Sequence, residues 1–399
     1  MEAKNRILQI LEAKKQQIFD LSDLVWDLAE IRFACVQSAR ALADLLAGEG
    51  FSIEWEPGGV PSAFVARAGH GSPCIGVLAE YDALAGMNQV ADVTEKQASA
   101  PEAGGHGCGH NAIGAGAVAG AIAIAAYLKE QRAEGSVVLF GCPAEEEGYG
   151  KAFLARAGVF NSADALLTWH PTATTGVWGQ STLAVNQLYF SFKGVSAHAG
   201  ANPELGRSAL DAAELMNVGV QFLREHVSDA TRIHYAFRDV GGGAANVVQP
   251  TAKLHYIVRA RTQAEAVAVT ERVIKVARGA ALMTETEVEV VWDAAAAEYI
   301  VNRTLGDAMY ANLQAVTPIP YEESDYTYMA PFRNSLPAMV TATQERSFRE
   351  AFPEADAAEV KRFVSSPIAD RLFPKTYSDQ PMTGSTDVAD ASWVRPTGQ

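Results

Sequence analysis

The N-terminal segment alternates hydrophobic and polar residues with the period of an α-helix. Between residues 3 and 30, the apolar positions that recur at helical spacing are Ile7, Leu8, Leu11, Ile18, Leu21, Val25 and Leu28. Such spacing places the apolar side chains on one face of a helix. We therefore predict an amphipathic helix over residues 3–30 and a second helix over residues 37–48.

Short apolar runs bounded by glycine or proline follow these helices. FSIEW, SAFVA and CIGVLAEY precede a helical stretch over residues 111–130, and SVVLFG and ALLTW come after it. Strands that alternate with helices in this way predict an α/β domain. Asp82, residues 143–147 and His170 each lie just beyond a predicted strand, where open α/β sheets usually bind their ligands.

The pattern changes near Asn186. A strand, a helix, two strands, a helix and a last strand follow, which is typical of a compact α+β unit of about a hundred residues. A helix over residues 298–315 then resumes the first domain. We therefore predict a catalytic domain formed by residues 1–184 and 298–399, with an inserted domain over residues 185–297.

Two segments, residues 85–105 and 318–381, fit no predicted element. Both are long for connections within a compact domain. We interpret them as functional caps or mobile loops.

The negative net charge of the chain argues against two classes of function. The chain of 399 residues has 47 Asp and Glu against 32 Lys and Arg, a formal charge of -15. An acidic surface repels phosphate backbones and anionic lipids, so we expect neither nucleic-acid binding nor docking to a membrane. The uncharged stretch over residues 112–128 is slightly short of the ~20 residues that a membrane span needs.

The N-terminus and the cysteines indicate the compartment. The first residues carry charges among the apolar ones, so we predict no signal peptide. Cys35, Cys74, Cys108 and Cys142 show no paired spacing and are too few to cross-link a chain of this size. We therefore expect a reducing, cytoplasmic location.

The segment GHGCGHN, residues 105–111, offers a thiol and an imidazole at close spacing. Glycines beside Cys108 and His110 allow a tight loop to turn both side chains toward one point. Thiolate and imidazole together suit a borderline metal such as zinc. The alternative is a glycine-rich helix entry in which His106 or His110 caps backbone groups.

The segment CPAEEEGYG, residues 142–150, places three consecutive carboxylates after a predicted strand. Taken alone, such a run is usually a solvated helix start that the helix dipole favours. A hydrolytic metal site, however, needs one carboxylate on the ion and a free one that takes a proton from water. His170, in TWHP, follows the next predicted strand; a lone histidine there is usually structural.

Six motifs in the same order, from about Leu78 to Pro396, resemble a known family. They are GHGCGHN, CPAEEEG, TWHPT, GVSAHAGANPELGRSALDA, GGGAANVVQP and GSTDVADASWVRPT. Together they are similar to the aminoacylase and carboxypeptidase G-like family of dinuclear metallohydrolases, and within it to the branch that cleaves p-aminobenzoyl-glutamate. The resemblance implies an α/β catalytic domain with a central mixed sheet and an inserted α+β lid that dimerises.

The resemblance also implies roles for individual residues of the catalytic domain. Cys108, His110, Glu146 and His170 are implied as metal ligands and Glu145 as the general base. Asp82, in AEYDALAG, falls on the first acidic motif of the family and is implied to orient a ligand or the bridging solvent. Glu80 stands where many relatives have a ligand histidine, so its contact with metal stays open.

The lid motifs carry further implied roles. His198 is implied to reach the active site of a neighbouring subunit and to stabilise the developing oxyanion. Asn246 is implied to contact the substrate, and Arg259 to bind its carboxylate. From the residues alone, His198 could satisfy a strand-end hydrogen bond, and Arg259 could form a structural ion pair.

The implied activity is metal-dependent hydrolysis of the amide of an acyl- or aroyl-amino acid. The resemblance implies two divalent ions, manganese or zinc, a homodimer formed through the lid, and a hetero-oligomer with a related subunit as a further assembly. Family members supply a last histidine ligand after the segment matching SWVRPT, whereas no histidine follows His255 here. We therefore expect a fragment of a longer protein or incomplete metal occupancy.

Two alternatives follow from the same residues. A relative lacking the last ligand could be a catalytically silent binding or assembly subunit. Cys108 and Cys142 could instead form a redox pair, although they form no C-x-x-C motif.

Overall fold

The computed structural model describes residues 2–399, except for the side chains of Glu2 and Ala351. The helices in this part of the chain are α1 (Glu2–Leu28), α2 (Val36–Gly48), α3 (His110–Gln131), α4 (Gly150–Arg156), α5 (Ala209–Leu223), α6 (Gln263–Met283), α7 (Arg303–Val316), α8 (Glu323–Ser335), α9 (Ala338–Ala351), α10 (Ala357–Ser365) and α11 (Val388–Val394). The strands are β1 (Ser52–Trp55), β2 (Phe64–His70), β3 (Cys74–Glu80), β4 (Gly135–Cys142), β5 (Ala165–Leu167), β6 (Ala184–Lys193), β7 (Arg232–Asp239), β8 (Thr251–Ala260), β9 (Glu287–Ala296) and β10 (Thr397–Gly398).

A six-stranded mixed sheet forms the centre of the molecule, in the order β1-β2-β4-β3-β5-β10. β3 pairs in parallel with both β4 and β5, so the carboxyl ends of these three strands lie at one edge of the sheet. β1 and β2 are antiparallel. The predicted α/β class with a mixed central sheet is confirmed.

Alternate residues of the central strands pack into two different cores. Val77, Ala79 and Leu139 face a cluster that α1, α2 and α3 cover. Leu78 and Phe140 face the opposite side, where they pack with residues of α4 and α11. A sheet that is covered on both faces needs apolar residues at every position, which explains the continuous apolar runs in the sequence.

A second sheet is antiparallel, in the order β7-β8-β6-β9, and spans Ala184–Ala296. α5 and α6 pack on one face of it and bury residues such as Met216 and Val273. We call this unit the lid. Its strand, helix and strand order is that of the α+β unit expected from the sequence.

Two predicted elements differ in extent from the structure. The helix expected over residues 298–315 begins at Arg303, because the side chain of Asn302 accepts a hydrogen bond from the Leu305 N–H (3.0 Å) and caps the first turn. Residues 318–381 are not an irregular loop, since they contain α8, α9 and α10. We call residues 318–381 the helical cap.

α3 is the one described helix that is long and apolar enough to cross a bilayer, with a mean hydropathy of 1.7 over its most apolar window. Half of that window is buried inside the protein. Ile113, Val118 and Ile122 pack in the interior beneath α1 and α2. α3 is therefore the core helix of the catalytic domain in this structure.

A fully buried lysine joins three segments of the catalytic domain. Lys151, in the first turn of α4, donates through Nζ to Glu80 Oε1 at the end of β3 (2.6 Å) and to Asp387 Oδ1 before α11 (2.7 Å). Its backbone N–H also donates to Asp387 Oδ2 (2.8 Å). Burial alone would lower the pKa of Lys151, but Asp387 and Glu80 raise it well above its ordinary value.

Replacing Lys151 by Met should lower the free energy of unfolding by about 3–5 kcal/mol, because two buried carboxylates then lose their cation. Urea denaturation at pH 7 measures the loss. Lys14→Met is the matched control, since the Lys14–Glu49 pair is 30% and 26% exposed and its removal should cost about 1 kcal/mol or less. Equal losses in the two variants would contradict this account of Lys151.

Candidate metal centre

The predicted site residues meet at the carboxyl ends of β3, β4 and β5. Asp82 follows β3, Glu145 and Glu146 follow β4, and His170 follows β5. Since these strands are parallel neighbours, the segments that leave them must lie side by side. The sheet therefore brings together residues that are far apart in the sequence.

The loop of residues 105–109 supplies the remaining members and places His110 at the start of α3. Gly105 exchanges two backbone hydrogen bonds with Leu84, each 3.0 Å long. Gly109 has φ of 82°, and a Cβ there would lie 2.8 Å from Pro171 Cγ. Glycine is needed at this position for both reasons, and it lets the loop press against the segment that carries His170.

Cys108, His110 and His170 form one group of candidate ligands, whose donor atoms all lie within 4.8 Å of one another. Cys108 Sγ is 3.3 Å from His170 Nε2. His170 Nδ1 lies 2.8 Å from the carbonyl oxygen of Pro171, which can only accept, so Nδ1 carries the proton. The lone pair of His170 is therefore on Nε2, the atom that faces the cluster.

His110, Glu145 and Glu146 form a second group within the same distance of one another. His110 Nε2 is 3.6 Å from Glu146 Oε1 and 3.9 Å from Glu145 Oε2. Because His110 belongs to both groups, the two candidate clusters are adjacent.

Unpartnered atoms in this cluster fit a metal ion. His110 Nε2 and Glu146 Oε1 are buried and make no hydrogen bond within the described residues. His110 Nδ1 is already used, since it lies 3.2 Å from Asp82 Oδ1. Asp82 Oδ2 in turn accepts the backbone N–H of Glu146 (3.0 Å). A buried polar atom without a partner is costly, and a cation bound between imidazole, thiolate and carboxylate would satisfy both atoms.

The shifted pKa values of His110 and Asp82 show that charged groups are concentrated at this site. Burial alone would lower the pKa of His110, but the hydrogen bond with Asp82, the neighbouring Cys108 and the charge of Glu80 raise it well above its ordinary value. Burial acts to raise the pKa of Asp82, but the His110 hydrogen bond and charge hold it below its usual range. The proton on His110 thus provides a positive charge where carboxylates converge, and a metal ion bound at Nε2 would replace that proton.

The pKa values of Glu145 and Glu146 are raised, whereas the pKa of Asp82 is lowered. Burial, together with the charges of Glu80 and Asp387, raises the pKa of Glu145 well above its ordinary value. Burial and the charge of Asp82 also raise the pKa of Glu146. A carboxylate with a raised pKa is a stronger proton acceptor, which suits Glu145 to general base work.

Lys151 and Asp387 are parts of this site that the sequence did not reveal. Lys151 holds Glu80 Oε1, while Glu80 Oε2 lies 3.5 Å from His110 Nε2. Glu80 therefore forms an ion pair with Lys151 and also lies beside the candidate ligand His110. GSTD, which contains Asp387, was a visible motif, but neither its spacing nor that of Lys151 indicates an ion pair.

The lid residues lie outside this cluster. His198 is exposed, and its Nδ1 accepts the backbone N–H groups of Gly200 (3.2 Å) and Ala201 (3.1 Å). The backbone of Asn246 accepts the Ala199 N–H (2.9 Å), so Asn246 lies next to His198. Among the described residues, neither side chain makes a hydrogen bond with the candidate metal ligands.

Arg259 is at the junction of the lid and the catalytic domain. Its Nη1 donates to Ser385 Oγ (2.7 Å), two residues before Asp387. The partner of Arg259 is therefore a hydroxyl group, not the carboxylate of an ion pair.

Comparisons with known proteins agree with this geometry. Residues 76–366 match the model of peptidase family M20/M25/M40. A subunit of the p-aminobenzoyl-glutamate hydrolase of Escherichia coli (strain K12) is 41% identical over 393 residues, which are 98% of this chain and 81% of that relative.

Solved structures show the same fold. The aminobenzoyl-glutamate utilization protein of Klebsiella pneumoniae superimposes with a TM-score of 0.59 at 22% identity, over 83% of this chain and 91% of that one. A dinuclear metal binding peptidase from the M20 family of Bacillus subtilis gives 0.52 at 19% identity, over 96% and 88%. The family match covers most of the chain and includes every candidate metal ligand, so the protein belongs to peptidase family M20/M25/M40 and is a hydrolytic enzyme.

Proposed function

We propose that this protein is a metal-dependent amidohydrolase that cleaves the amide of an aroyl- or acyl-amino acid of the p-aminobenzoyl-glutamate type. The observation that carries the proposal is the convergence of Cys108, His110, Glu146 and His170 beside Glu145. The name of the Escherichia coli relative supports the substrate class. The alternative of a catalytically silent subunit is not favoured, because that relative is named as part of a hydrolase.

Four residues would hold the metal: Cys108, His110, Glu146 and His170. We propose two divalent ions, because the M20 peptidase of Bacillus subtilis with the same fold is described as dinuclear metal binding. The thiol of Cys108 favours zinc, whereas the carboxylates also admit manganese. When bound, divalent ions lower the pKa of a shared water toward about 7 and polarise a carbonyl oxygen.

The residues of the chain carry the proton transfers. Glu145 accepts a proton from the attacking water at its carboxylate and then gives it to the nitrogen of the leaving amino acid. Asp82 holds the imidazole of His110 through Nδ1, so that Nε2 stays directed at the carboxylates. Lys151 keeps Glu80 ionised beside His110.

The lid residues act on the substrate from a second subunit in this proposal. His198 lies on the exposed lid surface, free to reach the site of a neighbouring copy and stabilise the oxyanion. Asn246 and Arg259 would bind the substrate, Arg259 through its carboxylate. The assembly would be a homodimer formed through the lid, or a hetero-oligomer with a related protein, since the Escherichia coli relative is named as one subunit of its hydrolase. A cytoplasmic location belongs to the same proposal.

Replacing Glu145 by Gln should lower turnover of p-aminobenzoyl-glutamate by about 10²–10⁴-fold, the usual contribution of a general base, while bound metal is retained. Initial rates and metal analysis on the same samples test this. Glu147→Gln is the matched control, because the Glu147 side chain is 43% exposed and 3.8 Å from Arg32. A Glu145→Gln variant with a near-normal rate would remove Glu145 from its role.

Replacing Cys108 by Ser should weaken zinc binding by at least about tenfold, because an alcohol replaces a thiolate ligand. Equilibrium dialysis followed by metal analysis measures the change independently of activity. Cys74→Ser is the control, since Cys74 lies at the start of β3 at the opposite end from the cluster. Equal zinc content in both variants would argue against Cys108 as a ligand.

Mixing two inactive variants tests whether His198 acts across subunits. In a randomly exchanged homodimer of His198→Ala and Glu145→Gln, about a quarter of wild-type activity should return, because mixed dimers have one intact site. Each variant alone should stay inactive. Failure of the mixture to regain activity after verified subunit exchange would place His198 outside the partner's site.

A further inference from the structure

The helical cap encloses a cavity of about 630 Å³. This volume lies within the ~300–1,000 Å³ that small-molecule pockets usually have. Its apolar wall consists of Tyr321, Tyr328, Met329, Phe332 and Phe363. The sequence motifs did not indicate this cavity, because most of its wall comes from residues 318–381, which fit none of them.

Part of the cavity wall comes from the segment that carries His170. Thr172 and Ala173 line it, two and three residues after His170. Since a chain spans at most about 3.5 Å per residue, the Cα of Thr172 lies within about 7 Å of that of His170. One part of the cavity wall therefore lies next to a candidate metal ligand.

Hydrogen bonds fix the helical cap to the segment that carries His170. The Phe373 N–H donates to the carbonyl oxygen of Thr175 (2.9 Å), and Thr175 Oγ1 donates to the carbonyl oxygen of Ala369 (2.9 Å). The position of the cavity relative to His170 is thus set by the backbone. A preformed position of this kind lowers the cost of ordering a ligand.

A second segment contacts a residue of the cavity wall. The Tyr328 hydroxyl donates to the carboxylate of Asp92, which belongs to the loop over residues 85–105. That loop ends at Gly105, directly before the residues that supply Cys108 and His110. The cavity wall is therefore hydrogen-bonded through Tyr328 to the loop that precedes the metal loop, and it includes Thr172 of the His170 segment.

The polar groups of the cavity favour an aromatic occupant over an anion. All three guanidinium nitrogens of Arg333 donate to protein oxygens, Nε and Nη2 to Val364 O and Nη1 to Gln344 Oε1. Three of the five N–H groups of Arg333 are thus used within the protein, and its planar face suits stacking on a ring. Arg362 is paired with Asp370 (3.3 Å).

We propose that this cavity binds the aromatic acyl group of the substrate, with its ring among Phe332, Tyr328 and Phe363. The proposal rests on the amidohydrolase function proposed above and adds the specificity site to it. The cavity discriminates aroyl-amino acids from their short aliphatic counterparts. It takes no part in the chemical step.

Two amine analogues that contain no amide to cleave test the proposal, N-benzylglutamate and N-ethylglutamate. Calorimetry on the full chain should show tighter binding of the benzyl compound. Phe332→Leu should lower the ratio of the two affinities about three- to tenfold, because the leucine cannot stack on the ring. Phe352→Leu is the matched control, since Phe352 packs within the helical cap against Phe373 without lining the cavity.

The outcomes separate this proposal from the function on which it rests. An unchanged ratio in Phe332→Leu, or no preference for the benzyl compound in the wild type, overturns the cavity assignment even if N-benzoylglutamate is hydrolysed. A lowered ratio without hydrolysis of N-benzoylglutamate supports the cavity and overturns the proposed activity. Circular dichroism checks folding, and Met329→Ala, a second change in the wall, repeats the test if Phe332→Leu does not fold.

Discussion

The structure depends on balancing several buried carboxylates around one imidazole. Glu80, Glu145 and Glu146 approach His110 Nε2 to 3.5–3.9 Å, and Asp82 holds the opposite nitrogen. Like charges brought this close in a protein interior repel each other strongly unless cations lie between them. Lys151 supplies one positive charge next to Glu80. A divalent ion would supply the positive charge that the other carboxylates still lack.

The fold explains how such a cluster is assembled. Parallel pairing of β3, β4 and β5 aligns three carboxyl ends, and α3 starts at the same edge with His110. Apolar cores on both faces of the sheet hold these strands rigidly, so that acidic groups are positioned by backbone that cannot relax away from them. The same rigidity lets unpartnered atoms such as Glu146 Oε1 persist.

Much of this arrangement could be predicted from the sequence, because regular elements and compact motifs leave local signals. Apolar runs indicated the strands, and the glycines around Cys108 indicated a tight loop. The buried pair of Lys151 and Asp387 gave no such signal, since a lysine early in a short helix usually reaches solvent. Residues 318–381 were interpreted as a functional cap or a mobile loop, but their helices were missed. These helices are mostly exposed, α8 contains Pro331, and only a small cluster around Phe348 is buried.

The pairing of Lys151 with Asp387 joins residues 236 positions apart. On the ribosome, the strand ends that carry the acidic groups emerge long before Asp387 does, and until then Lys151 can neutralise only Glu80. Contacts of such long range form late in folding, because a large loop must close first. The hydrogen bonds of Lys151 are therefore complete only after the segment with Asp387 has emerged, which ties maturation of the enzyme to the arrival of that segment.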